Sequence, residues 1–278
     1  MRLTKHHGLG NDFLVVLEEV NGPVTGDATR ARALCDRRRG IGADGFIVGS
    51  RPAPGATAPD GRPVDVVMHL WNADGSRAEM SGNGIRCLGQ ALAMARDDHS
   101  ATYVVVTDGG VRELVVHDDP EHRLASVSVA MGLVADGPVV PVDVARRLDE
   151  WRHATVDVGN PHLVVLVPDL SAVDLVGTGS WIEGRFDAGI NVEFIAPASQ
   201  LDTIDLLVWE RGAGVTEACG TGAVAAATRA HDWGLVGREV QVRMPGGSAE
   251  VIVAASPSEE PVLIGPAQHI ATVELPDG

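Results

Sequence analysis

Cys219 stands directly before Gly220-Thr221-Gly222, and Ser81 stands directly before Gly82-Asn83-Gly84. The two settings are one segment written twice. Residues 71–84 lie over residues 209–222 without a gap, so that Trp71 meets Trp209, Asn72 meets Glu210 and Ser81 meets Cys219. Each Gly-x-Gly opens a run that reads as a helix. A helix start offers unpaired backbone N–H groups and a partial positive charge, which together bind an anion such as a carboxylate. Two such starts facing one ligand would hold one carboxylate between a thiol and a hydroxyl. The same field is expected to stabilise a thiolate, bringing Cys219 down from about 8.5 into a range where it acts as a base near neutrality.

Inversion at an amino-acid α-carbon needs two opposed proton handlers, one removing the proton from one face and the other returning it to the opposite face. A thiol and its counterpart can do this without a cofactor. Ser81 is the weaker partner. If its hydroxyl behaves like water at about 15.7 against a thiol near 8.5, forming the anion costs roughly 9–10 kcal/mol more. Ser81 is therefore read as a proton donor or a water-assisted relay, not as an unaided base. A cysteine at an isolated tight turn is more often a small core residue, and it is the doubled context that favours chemistry at Cys219. Cys35 and Cys87 lack that context, and Cys87 falls on the helical run, where it reads as packing.

The elements that must position these groups also come in pairs. Gly10-Asn11-Asp12-Phe13 resembles Gly159-Asn160-Pro161-His162, each a Gly-Asn turn feeding an apolar strand. The run from Asp108-Gly109-Gly110 resembles that from Pro245-Gly246-Gly247. The offsets fall from 149 through 138 to 137, which places an insertion in the first half, at the Pro/Gly/Ala stretch 50–63. Short β-type runs at 46–48, 64–70, 103–107, 124–129, 191–195, 204–209 and 240–243 alternate with Gly, Pro and Asp breaks and read as largely antiparallel strands. Residues 85–95 and 223–230 are Ala-rich with almost no polar face, the pattern of buried helices. The expected fold is mixed α+β: two pseudo-symmetric domains, each a mainly antiparallel sheet or barrel wrapped around a central helix whose N-terminus points to the cleft between the halves.

Composition bounds the function. The formal net charge of −16 over 278 residues argues against nucleic acid as a partner. Three cysteines without C-x-x-C spacing indicate neither a disulfide framework nor a metal site, and fit a reducing cytoplasm. No stretch approaches the ~18 apolar residues of a membrane span, so a soluble protein is expected. Lys5 is the single lysine against 21 arginines, and it lies on no phosphate-cradling motif, which disfavours a pyridoxal-phosphate Schiff base. Residues 40–45 match G-x-G-x-x-G, but a charged run precedes them and a β-type run follows, the wrong context for a dinucleotide fingerprint.

Taken together, Gly8-Leu9-Gly10-Asn11-Asp12-Phe13, Asn72-Ala73-Asp74-Gly75-Ser76, Gly82-Asn83-Gly84-Ile85-Arg86-Cys87, Gly159-Asn160-Pro161-His162, Gly189-Ile190-Asn191-Val192, Glu210-Arg211-Gly212, Ala218-Cys219-Gly220-Thr221-Gly222 and Met244-Pro245-Gly246-Gly247 resemble the diaminopimelate epimerase family nearly end to end. The resemblance implies a cofactor-free, metal-free bacterial enzyme that interconverts LL- and meso-2,6-diaminopimelate for lysine and cell-wall synthesis. It implies a first half at 1–122 completed by 265–278, a second half at 123–264, a site in the cleft between them, and commonly a homodimer. By motif position, Asn11, Asn72, Asn160, Asn191, Glu210 and Arg211 would hold the substrate, Gly82-Asn83 and Gly220-Thr221 would bind the reacting carboxylate, and His162 with Glu210 would support the catalytic pair. Arg211 suits a distal carboxylate and Glu210 a distal ammonium.

Ser81 departs from the family's cysteine at that position. It fits an engineered exchange, a natural Ser/Cys pair of the kind found in related proline-racemase-like enzymes, or loss of epimerase activity. Val215 and Gly45 stand where many members carry glutamate and glutamine. The competing readings are a racemase or epimerase of another amino acid, and a catalytically dead amino-acid-binding homologue.

Overall fold

The computed structural model describes residues 1–276. Asp277 and Gly278, the last two residues of the expected segment 265–278, lie outside the described residues. The chain divides into two compact units, Met1–Ala130 with the C-terminal segment from Ile264, and Met131–Leu263.

The first unit runs β1 (Arg2–Gly8), β2 (Asn11–Leu17), α1 (Glu18–Asn21), α2 (Ala28–Cys35), β3 (Gly45–Ser50), β4 (Val66–Asn72), β5 (Arg77–Ala78), α3 (Gly82–Arg96), β6 (Ser100–Thr107), β7 (Gly110–Asp119) and β8 (Leu124–Ala130). The second runs β9 (Ala135–Asp136), α4 (Val142–Arg147), β10 (His153–Asp157), β11 (Pro161–Leu166), α5 (Leu175–Glu183), β12 (Asn191–Pro197), β13 (Thr203–Glu210), β14 (Gly214–Thr216), α6 (Gly220–Asp232), β15 (Glu239–Met244) and β16 (Gly247–Ile252). The last strand is β17 (Val262–Glu274). In the first unit β17, β1, β2, β3, β4, β6, β7 and β8 pair in that order, and β8 pairs back to β17, closing an eight-stranded barrel.

The sequence repeat is a repeat of strand register. Phe13 opposes Gly45 where β2 meets β3, and His162 opposes Asn191 where β11 meets β12. Trp71 lies between Phe46 and Arg77, and Trp209 lies between Val192 and Val215. Two pairs in each unit are parallel, β2 with β3 and β4 with β6, then β11 with β12 and β13 with β15. The other strands pair antiparallel as the alternation suggests. The parallel pairs arise because a helix forms each crossover, and a parallel pair cannot be joined by a tight hairpin. The longer loop of the first unit falls between β3 and β4 and overlaps the stretch read as an insertion.

In each unit the helix after the doubled segment is the core. Along α3, Ile85, Cys87, Leu88, Ala91, Leu92 and Ala93 are buried, and along α6 the run from Ala223 to Ala227 is buried throughout. A helix apolar on every side is stable only when surrounded, and each fully buried leucine such as Leu88 or Leu92 contributes about 1.5–3 kcal/mol. Both helices begin earlier than the apolar runs indicate, so that Gly82-Asn83-Gly84 and Gly220-Thr221-Gly222 form the first helical turn itself. Among the described residues no helix is long and apolar enough to cross a membrane.

Candidate active site

Ser81 is the N-cap of α3, with φ −137° and ψ 124°, and its Oγ accepts from Gly84 N at 3.1 Å. Cys219 is the N-cap of α6, with φ −127° and ψ 117°, and its Sγ accepts from Gly222 N at 3.4 Å. The N-cap geometry turns each side chain back over its own helix start. A helix start carries a partial positive charge and backbone N–H groups that the helix itself does not pair, the general setting for an anion.

Around Ser81 a chain of hydrogen bonds fixes the amide orientations. Arg86, fully buried, donates to Asn83 Oδ1 at 2.8 Å and to the Pro266 carbonyl. Asn83 Nδ2 in turn donates to Asn11 Oδ1 at 3.2 Å, and Asn11 Nδ2 donates to Asp44 Oδ2 at 2.9 Å. Asn11 and Asn83 are thus brought together at the start of α3. Burial lowers the Arg86 guanidinium to about 10. Asn72 lies at the exposed end of β4, where its side chain donates to Ser76 Oγ at 3.0 Å and closes its own turn. Sequence reasoning missed Arg86, whose position on a buried helix face is the signal that a guanidinium there must be doing something other than meeting water.

Around Cys219 the groups are ionisable. Glu210 accepts from the Thr216 hydroxyl, and Cys219 Sγ lies 3.5 Å from Thr221 Oγ1. Burial raises the Glu210 carboxyl above its usual range, against hydrogen bonds from Thr216 and Cys219. His162 and Glu193 are both fully buried, with Nδ1 and Oε1 2.7 Å apart, and His162 Nε2 meets Asn160 Oδ1 at 2.9 Å. Asn191 donates to the Pro161 carbonyl and accepts from Arg211 N, which holds the loop carrying Arg211. The Arg211 guanidinium is exposed and donates to the Ala188 carbonyl.

The Cys219 thiol is pushed well above the ordinary range, first by burial and then by the Glu210 and Glu193 carboxylates. This reverses the expectation of a lowered pKa. A helix start is worth about 0.3–2 kcal/mol, little more than one pKa unit, whereas full burial moves a group by about 3–5 units. The bonds from Thr221 and Gly222 offset only part of that. The resting residue is a neutral thiol.

Glu193 was also missed. Both faces of β12 are buried, so strand alternation gives no warning of a carboxylate among Val192, Phe194 and Ile195. The repeat does, because the register that sets Phe13 over His162 sets Ile47 over Glu193. Residues 40–45, the G-x-G-x-x-G match, wrap the end of α2, with Gly40 N and Gly42 N donating to the carbonyls of Asp36 and Leu34, and they lead into β3.

A family model described as diaminopimelate epimerase matches residues 3–135 and 154–270. The chain is similar to a diaminopimelate epimerase of Rhodococcus jostii (strain RHA1), 38% identical over 293 residues that cover 100% of this chain and 98% of that protein. A second, from Synechocystis sp., is 36% identical and covers 97% of each. Among solved structures, a hydroxyproline epimerase from Agrobacterium vitis with bound trans-4-hydroxy-L-proline superposes with a TM-score of 0.67 at 18% identity, covering 98% of this chain and 91% of that one. A PhzF-family phenazine biosynthesis protein from Bacillus anthracis gives 0.71 at 11%, covering 100% and 99%. At these identities the two structures speak to the fold.

Proposed function

The chain belongs to the diaminopimelate epimerase family, and from that membership we propose that it epimerises LL-2,6-diaminopimelate to meso-diaminopimelate by cofactor-independent proton transfer at the α-carbon. The observation that carries this reading is the matched capping of two central helices by Ser81 and Cys219, with nearly identical backbone angles.

In the proposed reaction the backbone N–H groups at Gly82-Asn83 and Gly220-Thr221 bind the reacting carboxylate and stabilise the charge that develops on it when the α C–H bond breaks. Cys219 and Glu210, both raised in proton affinity by burial, share one mobile proton. With that proton on Glu210, Cys219 is a thiolate and takes the α-proton onto Sγ. Ser81, directly or through a water, then donates a proton to the opposite face and recovers its own from solvent, while the Cys219/Glu210 pair returns one proton to solvent to reset the thiolate. In the reverse direction the same steps run backward, the Ser81–water relay accepting the α-proton and Cys219 Sγ–H donating to the other face. Asn11, Asn72, Asn160, Asn191, Glu210 and Arg211 hold the remainder of the substrate, Arg211 at the distal carboxylate, and His162 supports the thiol.

The proposed division of labour is a first half of residues 1–122 with 265–278 and a second half of 123–264, each presenting one proton handler. The family resemblance supports a role in lysine and peptidoglycan-precursor synthesis, a cytoplasmic location and a homodimeric assembly. The test is conversion of LL- to meso-diaminopimelate by chiral chromatography, beside a panel of amino acids with one carboxylate. Conversion of diaminopimelate alone supports the reading, and a preference for a monocarboxylic substrate replaces it with a racemase of another amino acid. Calorimetric binding without conversion, unaltered by Ser81→Cys, would make the chain a binding protein.

A further inference from the structure

The duplicated fold contains its own control for each residue of the site. Beneath the start of α3, a Cβ added to Gly84 would lie 3.2 Å from Ile47 Cδ1, 3.3 Å from Phe13 Cε1 and 3.2 Å from Ser81 Cβ. Beneath the start of α6, a Cβ added to Gly222 would lie 2.8 Å from Glu193 Oε1 and 3.2 Å from Cys219 Sγ. The strand register makes Ile47 the counterpart of Glu193, Phe13 that of His162, and Asn72 that of Glu210. One copy of the fold therefore has two apolar side chains and an asparagine at these positions. The other spends three ionisable groups there.

Packing does not demand the carboxylate, since isoleucine fills the same position in the same architecture. Burial of an ionised carboxylate is costly unless it is paired, and Glu193 is fully buried, with Oε1 on His162 and with Oε2 lacking a hydrogen-bond partner among the described residues. Gly222 stands between it and the Cys219 thiol, since a Cβ added there would meet both. Both nitrogens of His162 lie against oxygens, Glu193 Oε1 at 2.7 Å and Asn160 Oδ1 at 2.9 Å, which fixes the plane of the ring.

We propose that Glu193 is a positioning residue that locks His162 and keeps Cys219 protonated in the resting site, so that the thiolate base forms only once substrate arrives. The proposal deepens the epimerase reading and rests on it. A substrate ammonium settling beside the thiol offsets the carboxylate charge there and lets its proton pass to Glu210, which couples formation of the thiolate to substrate binding. The groups that act on the thiol are Glu210 from β13 and Glu193 from β12, with His162 from β11 acting on Glu210 and Thr221 and Gly222 of α6 donating to or facing Sγ.

The experiment is a pH titration of Cys219, read as the ultraviolet absorbance of the thiolate in each protein minus that of its Cys219→Ser counterpart. The subtraction removes Cys35 and Cys87, which burial raises to about 11 and about 12. Glu193→Gln keeps the shape and removes the charge. It is expected to move the Cys219 midpoint to lower pH by roughly one unit, a tenfold change in proton affinity, and to shift the pH profile of kcat/KM the same way with KM little changed. The double variant His162→Phe/Glu193→Ile, copied from the other half, removes the same carboxylate and is expected to move the midpoint to lower pH while remaining folded by circular dichroism. A midpoint unchanged in both folded variants overturns the proposal. The titration needs no turnover, so it stands apart from failure of the epimerase reading, which shows as absence of conversion by the parent protein.

Discussion

His162 Nδ1 lies 2.7 Å from Glu193 Oε1 with neither side chain exposed to solvent. A buried pair of this kind is a poor source of stability, because well-packed apolar residues of similar volume often match or exceed it, while removal of one partner alone strands the other. The first unit supplies the apolar replacement. The double substitution His162→Phe/Glu193→Ile is therefore expected to leave unfolding free energy unchanged or raised by about 1–4 kcal/mol, whereas His162→Ala alone costs about 3–5 kcal/mol. Urea denaturation of the three proteins measures this. A double variant less stable than the single one would show that the two halves are not interchangeable in packing.

Gly222 and Gly84 offer a second internal comparison. A Cβ at Gly222 would sit 2.8 Å from a buried carboxylate oxygen, and one at Gly84 would meet the tip of Ile47 at 3.2 Å. Gly222→Ala should cost about 1–3 kcal/mol from overcrowding and displace Glu193, with a matching loss of activity. Gly84→Ala should come out milder, because the isoleucine tip can turn away and alanine favours the helix by about 1 kcal/mol. Equal effects in thermal melts and rates would contradict the asymmetry.

At position 81 the chemistry and the capping separate. Ser81→Ala removes the acceptor for Gly84 N and should cost about 1 kcal/mol of stability, with loss of epimerisation. Ser81→Cys replaces a hydroxyl by a group that ionises about 9–10 kcal/mol more easily, and should raise the rate of conversion at least tenfold. A rate unchanged by Ser81→Cys would mean that this position does not limit proton transfer.

The pH dependence of stability has one clear contributor in the first unit. His6 is fully buried between Gln90 Oε1 and Thr4 Oγ1, each at 2.8 Å, and burial lowers it from 6.5 to about 4. Between those values the unfolded chain binds a proton that the folded one refuses, so stability falls as pH drops from 6.5 toward 4, by roughly 3 kcal/mol in all. Glu210, held above its usual value, works in the opposite sense, losing stability as pH rises through the carboxylate range. The denaturant midpoint of the parent should fall relative to that of His6→Gln as pH drops from 6.5 toward 4, and a constant difference across this window would contradict the assignment.

Much of this architecture is legible in the residues. The doubled segment points to Ser81 and Cys219, and the all-round apolar runs after them make two buried helices. What the residues hide has physical causes. Parallel pairing is set by the crossover helices, which lie outside any strand's own pattern. Glu193 sits on a strand buried on both faces, where period-two reasoning is silent. The thiol's protonation depends on how Glu210 and Glu193, 17 residues apart in sequence, converge on one sulfur, and a helix start alone predicts the opposite direction.

The most direct measurement is hydrogen exchange at the α-carbon of LL-diaminopimelate in D2O, followed by NMR for the parent protein and for Cys219→Ala. The parent should replace the α-proton with solvent deuterium, and Cys219→Ala should abolish the exchange while retaining substrate binding. Exchange that persists without the Cys219 thiol would contradict its assignment as the base.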